Sequence, residues 1–247
     1  MKRFACVLAL LALAAPAHAS GIALRWGSCE GFANRNFACD RSTGSELLVG
    51  SFSPPGGITA LSGIEVVLRI SSADGTVPSW WQAYGRGNCR QGSLAASFEM
   101  SDQTECDDPW SGQATGGIAR YQADGSNGVD MWMVAAVPRA AAQPAASGRT
   151  FAAFKLLLNH QRSGGAGSCT GCDVPMCIKL EAIRLVQDRA PDAHGATTPR
   201  YDVLTDGING MGGSSQVATW QGGTSNCSAG TSKPSTWGQL KDRFKPH

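Results

Sequence analysis

The residues of this chain best equipped for chemistry are its nine cysteines, and the compartment decides what that chemistry is. Cys169-Thr170-Gly171-Cys172 is a C-x-x-C pair, a spacing used for redox work, zinc binding and covalent haem. Haem attachment needs His directly after the second Cys, and Asp173 stands there. A redox pair needs a helix N-terminus to lower the thiol pKa, whereas this one lies in a Gly-rich stretch that enters a strand-like run. Four thiolates from Cys169, Cys172, Cys177 and Cys227 would suit zinc, provided the thiols stay reduced.

The first nineteen residues argue that they do not. Lys2 and Arg3 precede an apolar run from Phe4 to Ala15, and Pro16 leads into Ala17-His18-Ala19. This is the pattern of a secretory signal peptide cut after Ala19, with a run short of the ~20 residues a spanning helix needs. On that reading residues 1–19 are a leader, and residues 20–247 are one domain, secreted to the periplasm or beyond with no membrane insertion. Cys6 leaves with the leader. Cys29, Cys39, Cys89, Cys106, Cys169, Cys172, Cys177 and Cys227 then meet an oxidising compartment, which favours disulfides. Short spacing suggests Cys29–Cys39 and Cys89–Cys106, leaving Cys227 to reach back to Cys169, Cys172 or Cys177.

Carboxylates are the second candidate. Glu99, Asp102, Glu105, Asp107 and Asp108 lie within ten residues, and calcium takes about six to eight oxygens. The EF-hand spacing and its central Gly are missing, so the choice is between a calcium loop and a solvated loop pinned by Cys106. Glycoside hydrolysis would need a facing carboxylate pair, and the sequence singles out none. There is no G-x-S-x-G elbow, and His160, His194 and His247 fall in no metal motif. No residue is therefore assigned a catalytic role, and no cofactor beyond calcium is implied.

Tryptophans are the third. Beyond Trp26 there are Trp80, Trp81, Trp110, Trp132, Trp220 and Trp237. Indole faces can stack on the C–H faces of sugars, but the same rings also dominate cores. In an extended chain the tandem Trp80-Trp81 points to opposite faces, and Trp110 follows Asp108-Pro109 in a loop. These three are the expected ligand-binding platform.

The elements that position these groups read as strands. Ile64, Val66, Leu68 and Ile70 alternate with more polar neighbours, as do Ala152, Phe154, Leu156 and Leu158. Ile178 and Leu180 share one parity and Ile183 and Leu185 the other, which predicts a β-bulge near Ala182. Further strands are expected at Ile22–Trp26, Glu46–Phe52, Leu94–Met100, Val129–Val137, Tyr201–Leu204 and Gln216–Trp220, between Gly/Pro turns. A short turn is expected after Pro78, and a C-terminal helix over Ser235–Phe244. The result is an all-β, antiparallel β-sandwich of jelly-roll or cohesin-like form, stapled by disulfides. Without Lys2 and Arg3 the chain carries 19 basic and 19 acidic residues, with no basic cluster to attract nucleic acid.

Phe37-Ala38-Cys39-Asp40, Leu48-Val49-Gly50-Ser51-Phe52 with Pro54-Pro55, and Pro78-Ser79-Trp80-Trp81 resemble segments of a group of uncharacterised secreted bacterial β-sandwich proteins. So do Gly87-Asn88-Cys89-Arg90, Asp108-Pro109-Trp110, the run from Cys169 to Ile178, Trp220-Gln221-Gly222-Gly223 and Thr236-Trp237-Gly238. The resemblance spans nearly the whole mature chain and implies export and one folded unit. The functional expectation is a secreted binding module for a glycan. An adhesive or structural envelope protein that binds other proteins is the alternative, and a glycan hydrolase is third.

Overall fold

Alternation along each strand decides which residues enter the core. In β4 (Ile58–Ser72), Ile64, Val66, Leu68 and Ile70 are buried between two sheets, while Glu65 and Arg69 on the other face pair with Arg184 and Asp130. The computed structural model describes residues 20–72, 75–123, 128–188, 198–208, 215–222, 227 and 236–242. The expected leader lies outside these residues, as do His194, His247, Ser235 and Phe244.

The smaller sheet has the order β1 (Gly21–Trp26), β3 (Ser45–Ser53), β9 (Phe151–Asn159) and β5 (Leu94–Ser97). The larger runs β2 (Asn34–Arg35), β12 (Val217–Trp220), β10 (Met176–Gln187), β4, β7 (Gly128–Ala136) and β6 (Thr115–Ala123). To it are added β8 (Gln143–Ala145) on β4 and β11 (Arg200–Leu204) on β10. The named strand pairs are antiparallel apart from β2 with β12. The two sheets share one buried cluster, which makes the fold the expected antiparallel sandwich. A six-residue α1 (Trp237–Asp242) supplies the C-terminal helix, and its Trp237 packs with Trp132 against Val67 and Ala182 on the outer face of the large sheet.

The parity flip in β10 is a bulge. Leu180 pairs with Leu68 and Ala182 with Val67, so Glu181 is the extra residue and Ile183 and Leu185 remain in the core. Gly50 makes a different adjustment. A Cβ there would lie 2.1 Å from the ring of Phe154, so only glycine lets that buried ring cross β3. One expectation is trimmed, since β5 stops at Ser97 rather than Met100; β6 was not expected, and it carries no alternation because it opens Thr115-Gly116-Gly117.

All eight cysteines after Ala19 are bonded, as Cys29–Cys106, Cys39–Cys172, Cys89–Cys169 and Cys177–Cys227. This corrects the expected Cys29–Cys39 and Cys89–Cys106 pairs. The sheet order explains why: each short loop leaves one strand and crosses to a sequence-distant neighbour instead of closing on itself. Asp107 bonds to Thr150 and Ala152 through the backbone and so seats Cys106 at the start of β9. Cys227 does reach back to one of the three expected partners, Cys177.

Candidate functional site

The tandem tryptophans sit on a single 3-10 turn, Ser79–Trp81, started by Pro78. Successive side chains on such a turn diverge by about 120°, not the half-turn of a strand, so both rings can point inward. Trp80 is 0% exposed, Trp81 2% and Trp110 2%. None offers a face to a sugar, and the expected stacking platform is corrected to core. Trp80 lies 5.0 Å from Trp81 and 4.8 Å from Trp220, and Trp220 also stacks on Phe37 at 4.3 Å. Indole N–H groups donate to Ser163 Oγ from Trp80, to the Cys172 carbonyl from Trp220, and to the Leu61 carbonyl from Trp110.

Two polar side chains are buried with this cluster. The Arg90 guanidinium stands 3.4 Å from the Trp80 ring centre and donates to the carbonyls of Trp80, Asn159 and Gln161. Burial pushes its pKa down to about 10. The Tyr121 hydroxyl donates to the Trp81 carbonyl, and burial pushes that phenol up. His160 is also buried, with Nε2 3.0 Å from Glu46 Oε1.

The C-x-x-C turn caps the cluster. Its thiols bond outward to two different loops, through Cys89–Cys169 and Cys39–Cys172, so it is neither a redox dithiol nor a thiolate set for zinc. Gly171 has φ +93°, and a Cβ there would lie 2.2 Å from Pro78 Cβ. That close approach lets Trp80 N–H donate to the Thr170 carbonyl at 3.0 Å.

The acidic loop is held by the protein's own donors. Lys155 Nζ lies 2.7 Å from Asp102 and 3.9 Å from Glu99. The Lys155 hydrogen bond lowers the Asp102 pKa, and the hydrogen bond from Ser101 lowers that of Glu99. Arg149 takes Asp107, and Asp108 accepts from the backbone of Trp110 and Gly112. Glu105 is exposed. Among the described residues no three His, Cys, Asp or Glu groups are arranged to hold a metal ion, and Glu99, Asp102, Asp107 and Asp108 are each engaged by donors of the protein itself.

Two surface features went unread in the sequence. The first is the rim strand β6, nine residues long, bonded to β7 on one side and to no described strand on the other. The other rims are closed or short. β1 is buried and bonds along its outer edge to Asp206, Ile208 and Ser215, while β5 has four residues, β11 five and β2 two. The second is a groove of about 360 Å³ on the outer face of the large sheet, floored by Gly63, Val134 and Ala136. Its carboxylates, Glu65 and Asp188, are engaged by Arg184 and Arg139. Among the described residues no helix is long and apolar enough to cross a membrane.

No protein-family model matches the chain, and no curated protein matches it. Among solved structures it is similar to a cohesin module from a family 33 glycoside hydrolase of Clostridium perfringens. That likeness has 7% identity and a TM-score of 0.31 over 76% of this chain and 96% of the module.

Proposed function

We propose that the protein is an exported, non-catalytic binding module that recognises another polypeptide by adding one of its strands to β6. The observation that carries this reading is the contrast between rims. Folded β proteins blunt or cover long edges because unpaired N–H and C=O groups template further pairing. Here β1 is sealed, and β6 alone joins length to a largely unburied surface. Strand addition draws affinity from main-chain hydrogen bonds, with alternate side chains supplying specificity. A bulge between Ile118 and Arg120 divides β6 into two runs, which fixes the register an incoming strand must adopt. Export is supported by the leader pattern and by the four disulfides, which persist in oxidising compartments. The glycan reading loses its carrier with Trp80, Trp81 and Trp110 in the core.

The test is to pan a phage-displayed peptide library against residues 20–247, alongside a glycan array. Two variants read the rim. Gly117→Lys places a charge where nothing lies within 4 Å of the new Cβ. Ala119→Pro places a proline at the bulge, one of the few positions in a strand where proline is tolerated. Both should weaken selected peptides at least tenfold while leaving the melting temperature within a few degrees. Peptides indifferent to both variants, or a saturable glycan and no peptide, would reject the reading.

A further inference from the structure

We propose that this chain is a substrate of a thiol-disulfide isomerase, a partner bearing a solvent-accessible, low-pKa thiol. The argument starts from the order of the pairs. Only Cys177–Cys227 joins cysteines that are neighbours in sequence order. Cys29–Cys106, Cys39–Cys172 and Cys89–Cys169 have separations of 77, 133 and 80 residues, and each skips over at least one other cysteine.

In an unfolded chain the probability of closing a loop falls roughly as the three-halves power of its length. Cys29 therefore meets Cys39 roughly twenty times as often as Cys106, and Cys89 meets Cys106 about ten times as often as Cys169. The bonds that form first are the wrong ones. Export sharpens the problem, since Cys29, Cys39, Cys89 and Cys106 reach the oxidant before Cys169 and Cys172 do. This second limb rests on the exported reading; the loop-length limb does not.

The chain cannot correct itself once oxidised. Exchange begins with a thiolate attacking a disulfide sulfur. All eight cysteines after the leader are consumed in bonds, so a fully oxidised, misbonded chain holds no nucleophile of its own. An outside thiolate has to attack, for instance, Cys29–Cys39. One chain sulfur joins it in a mixed disulfide and the other leaves as a thiolate. That thiolate attacks the next misplaced bond, and in the last step a chain thiolate displaces the catalyst. The number of disulfides is unchanged, nothing is oxidised or reduced overall, and the catalyst thiol is regenerated. Folding then ends the exchange, because Cys29, Cys106, Cys169, Cys172 and Cys177 are all buried in the finished sandwich.

The test refolds reduced, denatured residues 20–247 in two arms. One uses a stoichiometric diamide oxidant and no thiol; the other uses mixed reduced and oxidised glutathione as the exchange catalyst. Disulfides are mapped by non-reducing proteolysis and mass spectrometry. The diamide arm should give mostly short-loop bonds, including Cys29–Cys39 and Cys89–Cys106. Adding reduced glutathione to that product should raise the native set at least fivefold. Equal native yield in both arms would overturn the proposal. Absence of the native set from both would overturn it as well, because exchange would then not lead there. Neither result bears on strand addition at β6, which is read by peptide binding.

Discussion

Arg90 shows how single residues set this core. It is 2% exposed, it faces the Trp80 ring, and backbone carbonyls take its protons. Lysine cannot copy a flat, forked cation. Arg90→Lys should therefore cost about 2–4 kcal/mol, from unsatisfied carbonyls and a lost ring contact, measured by urea unfolding. Lys155 makes the matching argument for the acidic loop. Its hydrogen bond holds the Asp102 carboxyl below its ordinary 3.8. A depressed carboxyl contributes stability that is full above the unfolded value and is lost as pH falls through the folded one. Lys155→Met should move the Asp102 titration midpoint, followed by NMR, upward toward 3.8, and the part of the acid destabilisation that Asp102 supplies should shrink with the shift. The three expected sugar-stacking rings lead to a third outcome. Tryptophan fluorescence of the oxidised protein should stay flat across a polysaccharide panel, and Trp80→Ala should cost about 3–5 kcal/mol, as large-to-small core changes do.

At the scale of elements, the bulge in β10 carries the most information. Deleting Glu181 joins Leu180 directly to Ala182, so continuous pairing with β4 is restored while Leu180, Ile183 and Leu185 all still face the core. The deletion variant should therefore fold with native near-ultraviolet circular dichroism, as should Glu181→Ala, which keeps the bulge; loss of that signal in the deletion variant alone would mean that the extra twist of the bulge is itself required. That bulge was readable because period two survives on each side of one extra residue. The strands of β4 and β9 were readable for the same reason. β6 was not, since Gly116 and Gly117 erase the alternation and its inner contacts, such as Tyr121 to Trp81, are made far away in sequence. The turn after Pro78 was expected and is present, but Trp80 and Trp81 misled because a strand's alternation was applied to their side chains. The disulfides misled because proximity in sequence stood in for proximity in space, and the sheet order decides the second. The candidate site was thus legible as residue types, while its placement depended on tertiary pairing.

Across the whole molecule, cross-links are concentrated at one end. Cys169, Cys172 and Cys177 each hold a different partner, and the first two cap the cluster of Trp80, Trp81 and Trp220. Only Cys29–Cys106 lies elsewhere, between the end of β1 and the acidic loop. In the chain-entropy account a disulfide acts on the unfolded state and scales weakly with loop length, so removing Cys39–Cys172 or Cys29–Cys106 should each cost about 4–5 kcal/mol. Equal cost need not mean equal consequence. Trp220 donates to the Cys172 carbonyl, and Gln221 bridges Phe37 and Cys172 in the same turn. Without Cys39–Cys172 that turn can lift while the sheets stay paired, opening locally at a free energy below the global one. A Cys39→Ala/Cys172→Ala double variant should then show a red shift of tryptophan emission at urea concentrations below the loss of sheet circular dichroism. A Cys29→Ala/Cys106→Ala variant should lose both signals together, as a two-state sandwich does. Coincident transitions in both variants would mean that the stapled end has no independence, and the aromatic cluster would then belong to the same cooperative unit as the rest of the core.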